Sequence, residues 1–384
     1  MTMQDDLSKF TGNRVTNPYE QYNLLENPFP TYGDSRADVC TDQDEIKQKF
    51  IEILQNFGVG AKRLRIDGRS GAGKTNILRY FATLTEEARL GGLIGNLYPV
   101  YVSEPGDNYF AIHKQIVDQL NERLIGDLIA QLKSNPATFE RLEQIVPAIE
   151  LVRAFRNLAQ PNTLFDPFEE RRRDIILRWL KGNKLSTKDK KLFEIELPEI
   201  GSASLAIRFL EGLLQIFSQL ELCKGIVVLF DEFEEIFEGP RTQHSKYAQD
   251  LRHLLDALEK SVFFVIATVP EPKDLAQYPP IIRRLGDPSF LRPIDSIDLA
   301  ITYAQHYMIA GRKRYFKEKS QAAGEDNQDT LFPLTTQDIA GIFQPLDDET
   351  NQTGLAVLPG YFLPRVHDRL KTIVEGLNAP SSDA

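Results

Sequence analysis

The amino-acid sequence predicts an α/β fold in which a parallel β-sheet is flanked by helices, with a helical insertion and a C-terminal helical lid. Three observations predict it. Residues 225–230 (GIVVLF) and 261–269 (SVFFVIATV) are continuous apolar runs rich in β-branched and aromatic residues, which are typical of strands covered on both faces. Residues 68–75, between a strand pattern and a helical pattern, form the glycine-rich segment GRSGAGKT. Most of the remaining chain repeats apolar residues at helical spacing.

The first hundred residues contain the other predicted elements of the sheet. Residues 1–40 are polar and lack hydrophobic periodicity, which indicates an extended arm. Apolar residues recur at helical spacing in 46–54, and residues 62–67 are a short strand that leads into the glycine-rich segment. The pattern is helical again from Asn76, and 98–102 is rich in aromatic and β-branched residues, as in a second strand.

A long segment separates the first strands from the apolar runs. Lys74 and Asp231 are 157 positions apart, more than one strand and one or two helices need. Repeated helical patterns in 109–222 predict a mainly helical insertion. After Pro293 we expect helices, interrupted by a Gly/Pro-bearing loop at 345–360. The expected organisation is an extended arm at 1–40, a core at 41–293 with the insertion at about 109–222, and a helical lid with a polar tail at 294–384.

Composition excludes several classes of protein. The 384 residues include 45 Lys+Arg against 55 Asp+Glu, a formal charge of −10. This counts against a nucleic-acid coat protein or a polybasic membrane binder, although a local basic face remains possible. Cys40 and Cys223 lack the spacing of a disulfide framework or a zinc site, so we expect a cytoplasmic protein. No apolar run approaches the ~20 residues of a membrane span, and no signal peptide is recognisable, so we expect no membrane partner.

The glycine-rich segment matches the phosphate-binding pattern GxxxxGK[ST] in the context that the pattern needs, after a strand and before a helix. Its residues are Gly68, Arg69, Ser70, Gly71, Ala72, Gly73, Lys74 and Thr75, and Asn76 follows in the helix. The glycines let backbone N–H groups point at phosphate oxygens, and the N-terminus of the helix favours the same anion. Lys74 would reach the β- and γ-phosphates, and Thr75 would coordinate Mg²⁺. The sequence thus predicts ATP and Mg²⁺ as ligands.

An acidic pair follows the apolar run at 225–230. We expect Asp231 to contact Mg²⁺, directly or through its water, and Glu232 to act as the general base toward the attacking water. The presence of Glu232 favours hydrolysis over simple nucleotide binding. Glu234 and Glu235 are predicted to form an exposed helix start.

GRSGAGKT, the strand that ends in Asp231 and Glu232, and a strand that ends in Thr268 together resemble an AAA+ P-loop ATPase of the origin-recognition and STAND-like branch. The resemblance implies that 41–293 is an AAA+ nucleotide-binding core and that Thr268 is sensor 1, which orients the water. The segment YPPIIRRLGDPSFLRPID resembles the one that carries the arginine finger. Arg283 or Arg284 would therefore reach the γ-phosphate in a neighbouring subunit, which implies self-association.

Two segments at the ends of the chain extend the resemblance. GYFLPRVHDRLKTIV resembles the start of the last lid helix in this branch, which makes Arg365 the candidate for sensor 2. The segment Asn27, Pro28 and Phe29 resembles the arm that packs near the adenine. Each could instead be a structural feature, since a Pro-preceded arginine also opens ordinary helices.

In the middle of the chain, a Trp-Leu-x-Gly element, here Trp179, Leu180 and Gly182, precedes the segment from Gly225 to Glu232. With these features the chain resembles ATP-binding proteins of bacterial phage-defence loci of the BREX type. The resemblance implies a role in anti-phage defence with an effector or nuclease as partner. Trp179 itself is expected in the core.

Residues 153–191 carry eleven basic and five acidic residues, a local charge of +6. Such a stretch could contact a DNA backbone, which requires charge but no base reading. The alternative is a set of solvated helix faces.

We therefore expect an AAA+ ATPase that binds and hydrolyses ATP with Mg²⁺ to assemble or remodel a DNA-associated complex in anti-phage defence. One alternative is a STAND-like ATP-dependent switch or scaffold with slow hydrolysis. Another is an ATP-dependent DNA adaptor of the transposition or replication type.

Overall fold

A computed structural model of the chain describes residues 17–58, 62–159, 169–237, 241–270, 277–319 and 330–377. The described residues cluster into two compact units. The first, which we name the C-terminal unit, consists of the residues up to 42, residues 71–73 and the residues from 292 onwards. The second, the sheet unit, consists of residues 43–70 and 74–291.

The sheet unit contains a five-stranded sheet in the order β2-β3-β4-β1-β5, with all neighbours parallel. The strands are β1 (Arg63–Asp67), β2 (Leu97–Val102), β3 (Gly225–Phe230), β4 (Val262–Thr268) and β5 (Pro288–Phe290). Every residue of β3 and β4 is buried, which explains their continuous apolar sequences. This parallel sheet with its flanking helices confirms the predicted fold class. The sequence did not predict β5, which has three residues and pairs with β1.

Helices flank and connect these strands. In the sheet unit they are α1 (Asp44–Gln55), α2 (Lys74–Leu90), α3 (Tyr109–Leu120), α4 (Gly126–Ser134), α5 (Thr138–Ile145), α6 (Ile149–Ala159), α7 (Glu169–Leu180), α8 (Thr187–Phe193), α9 (Ala203–Gln219), α10 (Arg241–Ala257) and α11 (Pro279–Leu285). A π-helical turn, Asn121–Ile125, joins α3 to α4. Helices α3 to α9 occupy the predicted insertion.

The insertion helices share a hydrophobic core with the sheet. Buried residues of β2, β3 and β4 belong to the same cluster as buried residues of α3 to α9. Trp179 in α7 is fully buried, packs edge to face on Phe209 of α9, and donates its indole N–H to the carbonyl of Leu197 at 3.2 Å. Trp179 is thus a core residue, as the sequence predicted, and the insertion is a further layer on the sheet.

The C-terminal unit is built on α12 (Ile297–Glu318), α13 (Thr336–Thr353) and α14 (Pro359–Leu377). Their apolar faces form a second core together with residues of the N-terminal segment, among them the fully buried Leu24 and Phe29. The described part of the predicted arm is therefore not a loose extension, because its apolar side chains complete this core.

The predicted loop at 345–360 is wrong in its first part, because α13 continues through Pro345 to Thr353. A proline inside a helix removes one backbone hydrogen bond. Two features offset this loss. Thr335 and Asp338 form a capping box at the start of the helix, and Ile339, Phe343 and Leu346 bury its apolar face.

Within the described ranges, the structure contains no helix with both the length and the apolar character that a membrane crossing requires.

Candidate functional site

The phosphate-loop motif connects β1 to α2. The backbone N–H of Gly68 donates to the carbonyl of Thr268 in the neighbouring strand β4 at 3.0 Å. Gly71 and Gly73 have φ angles of +82° and +96°, a conformation that residues with a Cβ rarely adopt. The glycines of the motif are thus required by the backbone itself.

Lys74, the first residue of α2, has a largely buried side chain. Its Nζ donates to the carbonyl of Gly68 at 2.9 Å. The other residues that the motif assigned to the site differ in exposure: Arg69 and Ser70 are exposed, Ala72 is buried, and Thr75 and Asn76 are partly buried. The ammonium group of Lys74 is therefore hydrogen-bonded to the first residue of its own loop.

Asp231 follows β3 and is 4% exposed. Its Oδ2 accepts a hydrogen bond from the hydroxyl of Tyr101 at 2.6 Å, and its Oδ1 accepts one from the backbone N–H of Glu232 at 3.1 Å. Burial, followed by the hydrogen bond to Asp231, raises the pKa of Tyr101, while Arg79 acts in the opposite direction. The phenol thus remains a neutral donor to the carboxylate.

The glutamates that follow Asp231 differ in exposure, and one of them departs from the prediction. Glu232 is exposed and has a φ angle of +48°. Glu234, predicted to be exposed, has a side chain that is only 16% exposed, with Oε1 3.5 Å from Nζ of Lys74. Residues Phe233–Phe237 form a 3-10 helix whose buried Phe233, Ile236 and Phe237 turn Glu234 inward. The prediction of an exposed pair is therefore wrong for Glu234, whereas Glu235 is exposed.

Thr268 ends β4 and is fully buried. Within the described residues, Oγ1 of Thr268 and Oε2 of Glu234 are buried atoms without a hydrogen-bond partner. Buried polar atoms are normally hydrogen-bonded, so each of these two is open to a hydrogen bond from a bound ligand or water. Both belong to segments at the carboxyl ends of neighbouring parallel strands, where α/β sheets bind ligands.

An acidic residue that the sequence analysis did not single out ends β1. Asp67 is 1% exposed, and its two carboxylate oxygens accept hydrogen bonds from Nε and Nη2 of Arg65 at 2.8 and 2.6 Å. Burial raises the pKa of Asp67, while the hydrogen bonds and charge of Arg65, and the charge of Lys74, act against this shift. Arg65 and Asp67 are two positions apart in a strand, hence on one face, so the alternation could have indicated the pair.

The two candidate arginine fingers lie on α11 and differ in their contacts. Arg284 donates to both oxygens of Asp256 at 2.6 and 2.8 Å and to the carbonyl of Pro280 at 2.8 Å. These hydrogen bonds hold the pKa of Asp256 below its usual range and raise the pKa of Arg284. Arg283 is exposed and makes no hydrogen bond or ion pair with any residue that the structure describes.

The remaining predicted residues belong to the C-terminal unit. Asn27 donates from Nδ2 to the carbonyl of His367 at 3.0 Å and accepts from the backbone N–H of Phe29 at 3.1 Å. Phe29 stacks on Tyr307, and Pro28 is buried beside Gly311. The segment 27–29 is thus part of the core of this unit.

Arg365 is exposed on α14. In the first turn of the same helix, the backbone N–H of Gly360 donates to the carbonyl of Gly71 at 2.8 Å. A Cβ at position 360 would lie 2.8 Å from the Cα of Gly71, so only glycine permits this approach. Residues 71–73 belong to the C-terminal unit, so this is a contact within that unit.

Many of the basic residues in 153–191 are already engaged within the protein. Arg156 pairs with Glu143 at 2.8 Å, Arg178 pairs with Asp174 at 3.1 Å, and Lys181 pairs with Asp118. Arg172 is buried, and Arg173 donates to Asn121. Exposed basic side chains in this stretch include Arg171, Lys184, Lys188 and Lys191. The charge of +6 therefore overstates what the stretch presents to solvent; residues 160–168 lie outside the described ranges.

Comparison with known proteins gives a distant likeness only. Neither a protein-family model nor a curated protein matches the chain. Among solved structures, the chain is similar to the ORC2 protein of Aeropyrum pernix as ADPNP-ADP complexes, with 14% identity, a TM-score of 0.45, and coverage of 93% of this chain and 76% of that chain. The ADP form of the same protein gives 14% identity, a TM-score of 0.44, and coverage of 93% and 75%. Likeness at this distance transfers no residue roles.

Proposed function

We propose that the chain is an AAA+ type P-loop ATPase that binds ATP with Mg²⁺ and hydrolyses it. One observation carries the proposal. The lysine of a complete phosphate-loop motif begins the helix after β1, and its ammonium group lies beside the acidic segment that follows β3. A cationic group for phosphate and a buried carboxylate for a metal ion thus occur at one end of one sheet. These two charges are what binding of a metal–nucleotide complex requires.

Different groups of the phosphate-loop motif would bind different parts of ATP. Backbone N–H groups of residues 69 to 73 and the first turn of α2, with Thr75 and Asn76, would bind the phosphates. Gly68, whose own N–H donates to the carbonyl of Thr268, would begin the loop. Lys74 would exchange the carbonyl of Gly68 and the carboxylate of Glu234 for phosphate oxygens. This exchange is favourable because a phosphate carries more negative charge than either present partner.

The donors near this loop fit Mg²⁺, which prefers oxygen ligands and keeps several waters. Thr75 would supply its hydroxyl, and Asp231 would supply its buried carboxylate. Among the described residues, the hydrogen bonds of this carboxylate come from neutral donors. When bound, the ion would supply positive charge to the β- and γ-phosphate oxygens. Asp231 is held by Tyr101 and by the backbone N–H of Glu232, so its orientation is fixed in advance.

For hydrolysis, we propose that Glu232 takes the proton of the attacking water and that Thr268 orients this water. Glu232 is exposed, so it would act from the open side of the site. The buried, unsatisfied Oγ1 of Thr268 supports its role, because a water molecule would give it the hydrogen bond it lacks. Arg365 and residues 27–29 remain proposals for sensor 2 and for the adenine contact.

We further propose self-association in which Arg283 completes the site of a neighbouring copy. Arg283 is the better candidate of the pair because Asp256 and Pro280 already hold Arg284. A finger in trans stabilises charge that develops on the γ-phosphate.

The proposed biological role is the ATP-driven assembly or remodelling of a DNA-associated complex with an effector or nuclease. Anti-phage defence rests on the sequence resemblance of the middle region alone. Contact with a DNA backbone is supported by four exposed basic residues, Arg171, Lys184, Lys188 and Lys191. The support is reduced because neighbouring basic residues are paired within the protein. A slow STAND-like switch and a DNA adaptor are the alternatives, and the turnover rate distinguishes the switch from the ATPase.

Binding of a fluorescent ATP analogue and steady-state release of phosphate test this proposal. We expect Lys74→Ala to weaken nucleotide binding about 100-fold, because a charge-assisted contact is lost. Glu232→Gln should keep nucleotide binding and lower kcat about 100-fold, since it cannot accept the proton. Glu235→Gln, an exposed neighbour, is the matched control. Binding that is unchanged in Lys74→Ala would contradict the proposal, and negligible turnover of the wild type would favour the switch.

A further inference from the structure

The side chain of Asp231 is held by a residue from a different strand. Tyr101 lies in β2, next to β3, and its hydroxyl donates to Oδ2 of Asp231 at 2.6 Å. The backbone N–H of Glu232 occupies Oδ1. With a donor on each oxygen, the plane of the carboxylate is fixed, and the two residues that fix it are 130 and one positions away in the sequence.

Tyr101 is held in turn by the insertion. β2 is an edge strand of the sheet, so its outer backbone groups have no neighbouring strand. The side-chain amide of Gln119 in α3 takes that place: it accepts from the N–H of Tyr101 at 2.9 Å and donates to the carbonyl of Tyr101 at 2.8 Å. One amide group thus satisfies both backbone groups of Tyr101, as a paired strand would.

Gln115, one helical turn earlier, makes the same kind of contact beyond the end of β2. It accepts from the N–H of Ser103 at 3.2 Å and donates to the carbonyl of Glu104 at 2.7 Å. Gln115 and Gln119 are four positions apart and therefore lie on one face of α3. The first helix of the insertion thus contacts the edge of the sheet through these two glutamines, and Gln119 is the one that holds Tyr101, the hydrogen-bond partner of Asp231.

A neutral hydroxyl suits a carboxylate that must bind a cation. Burying a carboxylate without any donor is unfavourable. An arginine or lysine would supply a donor but would also compensate the negative charge. The hydroxyl of Tyr101 supplies the donor without itself adding a positive charge. The guanidinium of Arg79 lies 5.8 Å from the centre of the Tyr101 ring, while the two hydrogen bonds described for Asp231 come from Tyr101 and the backbone of Glu232.

We propose that Tyr101 is a positioning residue that sets the affinity of the site for Mg²⁺ through Asp231, and that Gln119 holds Tyr101 in place. This inference rests on the proposed nucleotide site and extends it to the insertion. Hydrogen bonds to a metal-binding carboxylate act in this way because they fix its orientation, and their loss costs metal affinity.

The test compares Tyr101→Phe with Tyr98→Phe, which removes the same hydroxyl from the opposite face of the same strand. Mn²⁺ replaces Mg²⁺ so that its binding to the protein–ATP complex can be followed by electron paramagnetic resonance. We expect Tyr101→Phe to raise the Kd for Mn²⁺ about tenfold, while the affinity for a fluorescent ATP analogue in EDTA stays unchanged. Tyr98→Phe should change neither. In turnover, Tyr101→Phe should raise the Mg²⁺ concentration for half-maximal rate and leave kcat at saturating Mg²⁺ within about twofold.

A second pair of variants tests the support from the insertion. Gln119→Glu keeps the acceptor for the N–H of Tyr101 but loses the donor to its carbonyl, so we expect a rise in the Kd for Mn²⁺ of about threefold. Gln115→Glu is the matched control and should have no effect.

The outcomes separate this inference from the proposed function. If the wild type binds the ATP analogue and Tyr101→Phe binds Mn²⁺ as tightly as the wild type, the inference is overturned and the proposed function stands. If Tyr101→Phe has the expected effect but Gln119→Glu matches Gln115→Glu, the role given to Gln119 is wrong. If the wild type binds no ATP analogue, both proposals fall.

Discussion

Two buried aspartates lie at the carboxyl ends of two strands of the same sheet, and they differ in the charge of their hydrogen-bond donors. Asp67 is the last residue of β1 and Asp231 is the first residue after β3; they are 1% and 4% exposed. The carboxylate of Asp67 accepts two hydrogen bonds from a guanidinium, whereas that of Asp231 accepts one from a phenol and one from a backbone N–H. The charge of Asp67 is therefore compensated within the protein, while that of Asp231 has no cationic partner in its hydrogen bonds among the described residues.

The difference follows from the neighbours of each residue. Arg65 lies two positions before Asp67 on the same face of β1, so its side chain reaches the carboxylate directly. Asp67 also precedes the phosphate-loop motif, where an uncompensated negative charge would repel phosphate. β3 consists of apolar residues only, so Asp231 has no such cationic neighbour in its own strand.

The same contrast between a compensated and an uncompensated charge occurs in the arginines of α11. Arg284 is compensated by Asp256, while Arg283 has no partner among the described residues. If Arg283 is the finger, Arg283→Ala should lower the ATPase rate of the assembled protein about 1000-fold, with thermal stability unchanged. The rate per subunit should depend on protein concentration in the wild type and lose that dependence in the variant.

Arg284→Ala is the matched control for this prediction. Its ion pair is partly exposed, so we expect a loss of only about 0.5 kcal/mol in the free energy of unfolding and an ATPase rate close to that of the wild type. A large loss of rate in Arg284→Ala with little effect in Arg283→Ala would reverse the assignment.

The sequence predicted the features that are formed by contiguous residues. The buried strands β3 and β4 and the phosphate loop were predicted, because an apolar run and a glycine motif are contiguous in sequence. The inward orientation of Glu234 was missed because it depends on the 3-10 helix Phe233–Phe237. The run of charges in DEFEE does not indicate that this segment forms such a helix.

Contacts between distant segments were also missed. The Tyr101–Asp231 hydrogen bond joins residues 130 positions apart, and the Arg284–Asp256 pair joins residues 28 positions apart. The strand β5 has three residues, too few for an alternation pattern, and it exists through its pairing with β1. Each of these features arises from tertiary packing, which neither composition nor periodicity encodes.

The two aspartates should respond in opposite ways to the same substitution. Asp67→Asn leaves the buried guanidinium of Arg65 without its charged partner, so we expect the free energy of unfolding to fall by about 3 kcal/mol. Replacing both residues, in Arg65→Met with Asp67→Leu, should restore most of the lost stability. Urea denaturation followed by circular dichroism measures both effects.

The effect of Asp67→Asn on stability is to be compared with that of Asp231→Asn. The latter removes a buried charge that has no cationic partner in its hydrogen bonds among the described residues, so we expect stability to stay equal or rise, while Mg²⁺-dependent ATPase activity falls about 100-fold. A loss of stability similar to that of Asp67→Asn would contradict the distinction between the two strand ends.

The smallest expected effect concerns Glu234, the second acidic group near the end of β3. Its carboxylate lies 3.5 Å from Nζ of Lys74 and would compete with phosphate for this ammonium group. Because this contact is long and Lys74 also donates to the carbonyl of Gly68 at 2.9 Å, we expect Glu234→Gln to tighten the binding of a fluorescent ATP analogue only about threefold and to leave kcat nearly unchanged. Glu235→Gln, on the same 3-10 helix but exposed, should alter neither quantity.

The same variant decides between the two glutamates as the base in hydrolysis. Glu232 has the position that the sequence predicts, but Glu234 has the buried carboxylate oxygen without a hydrogen-bond partner among the described residues. If Glu234→Gln lowers kcat about 100-fold while nucleotide binding persists, and Glu232→Gln does not, then Glu234 takes the proton of the attacking water. The acidic segment after β3 would then bind the metal ion through Asp231 and activate water through a residue three positions further on.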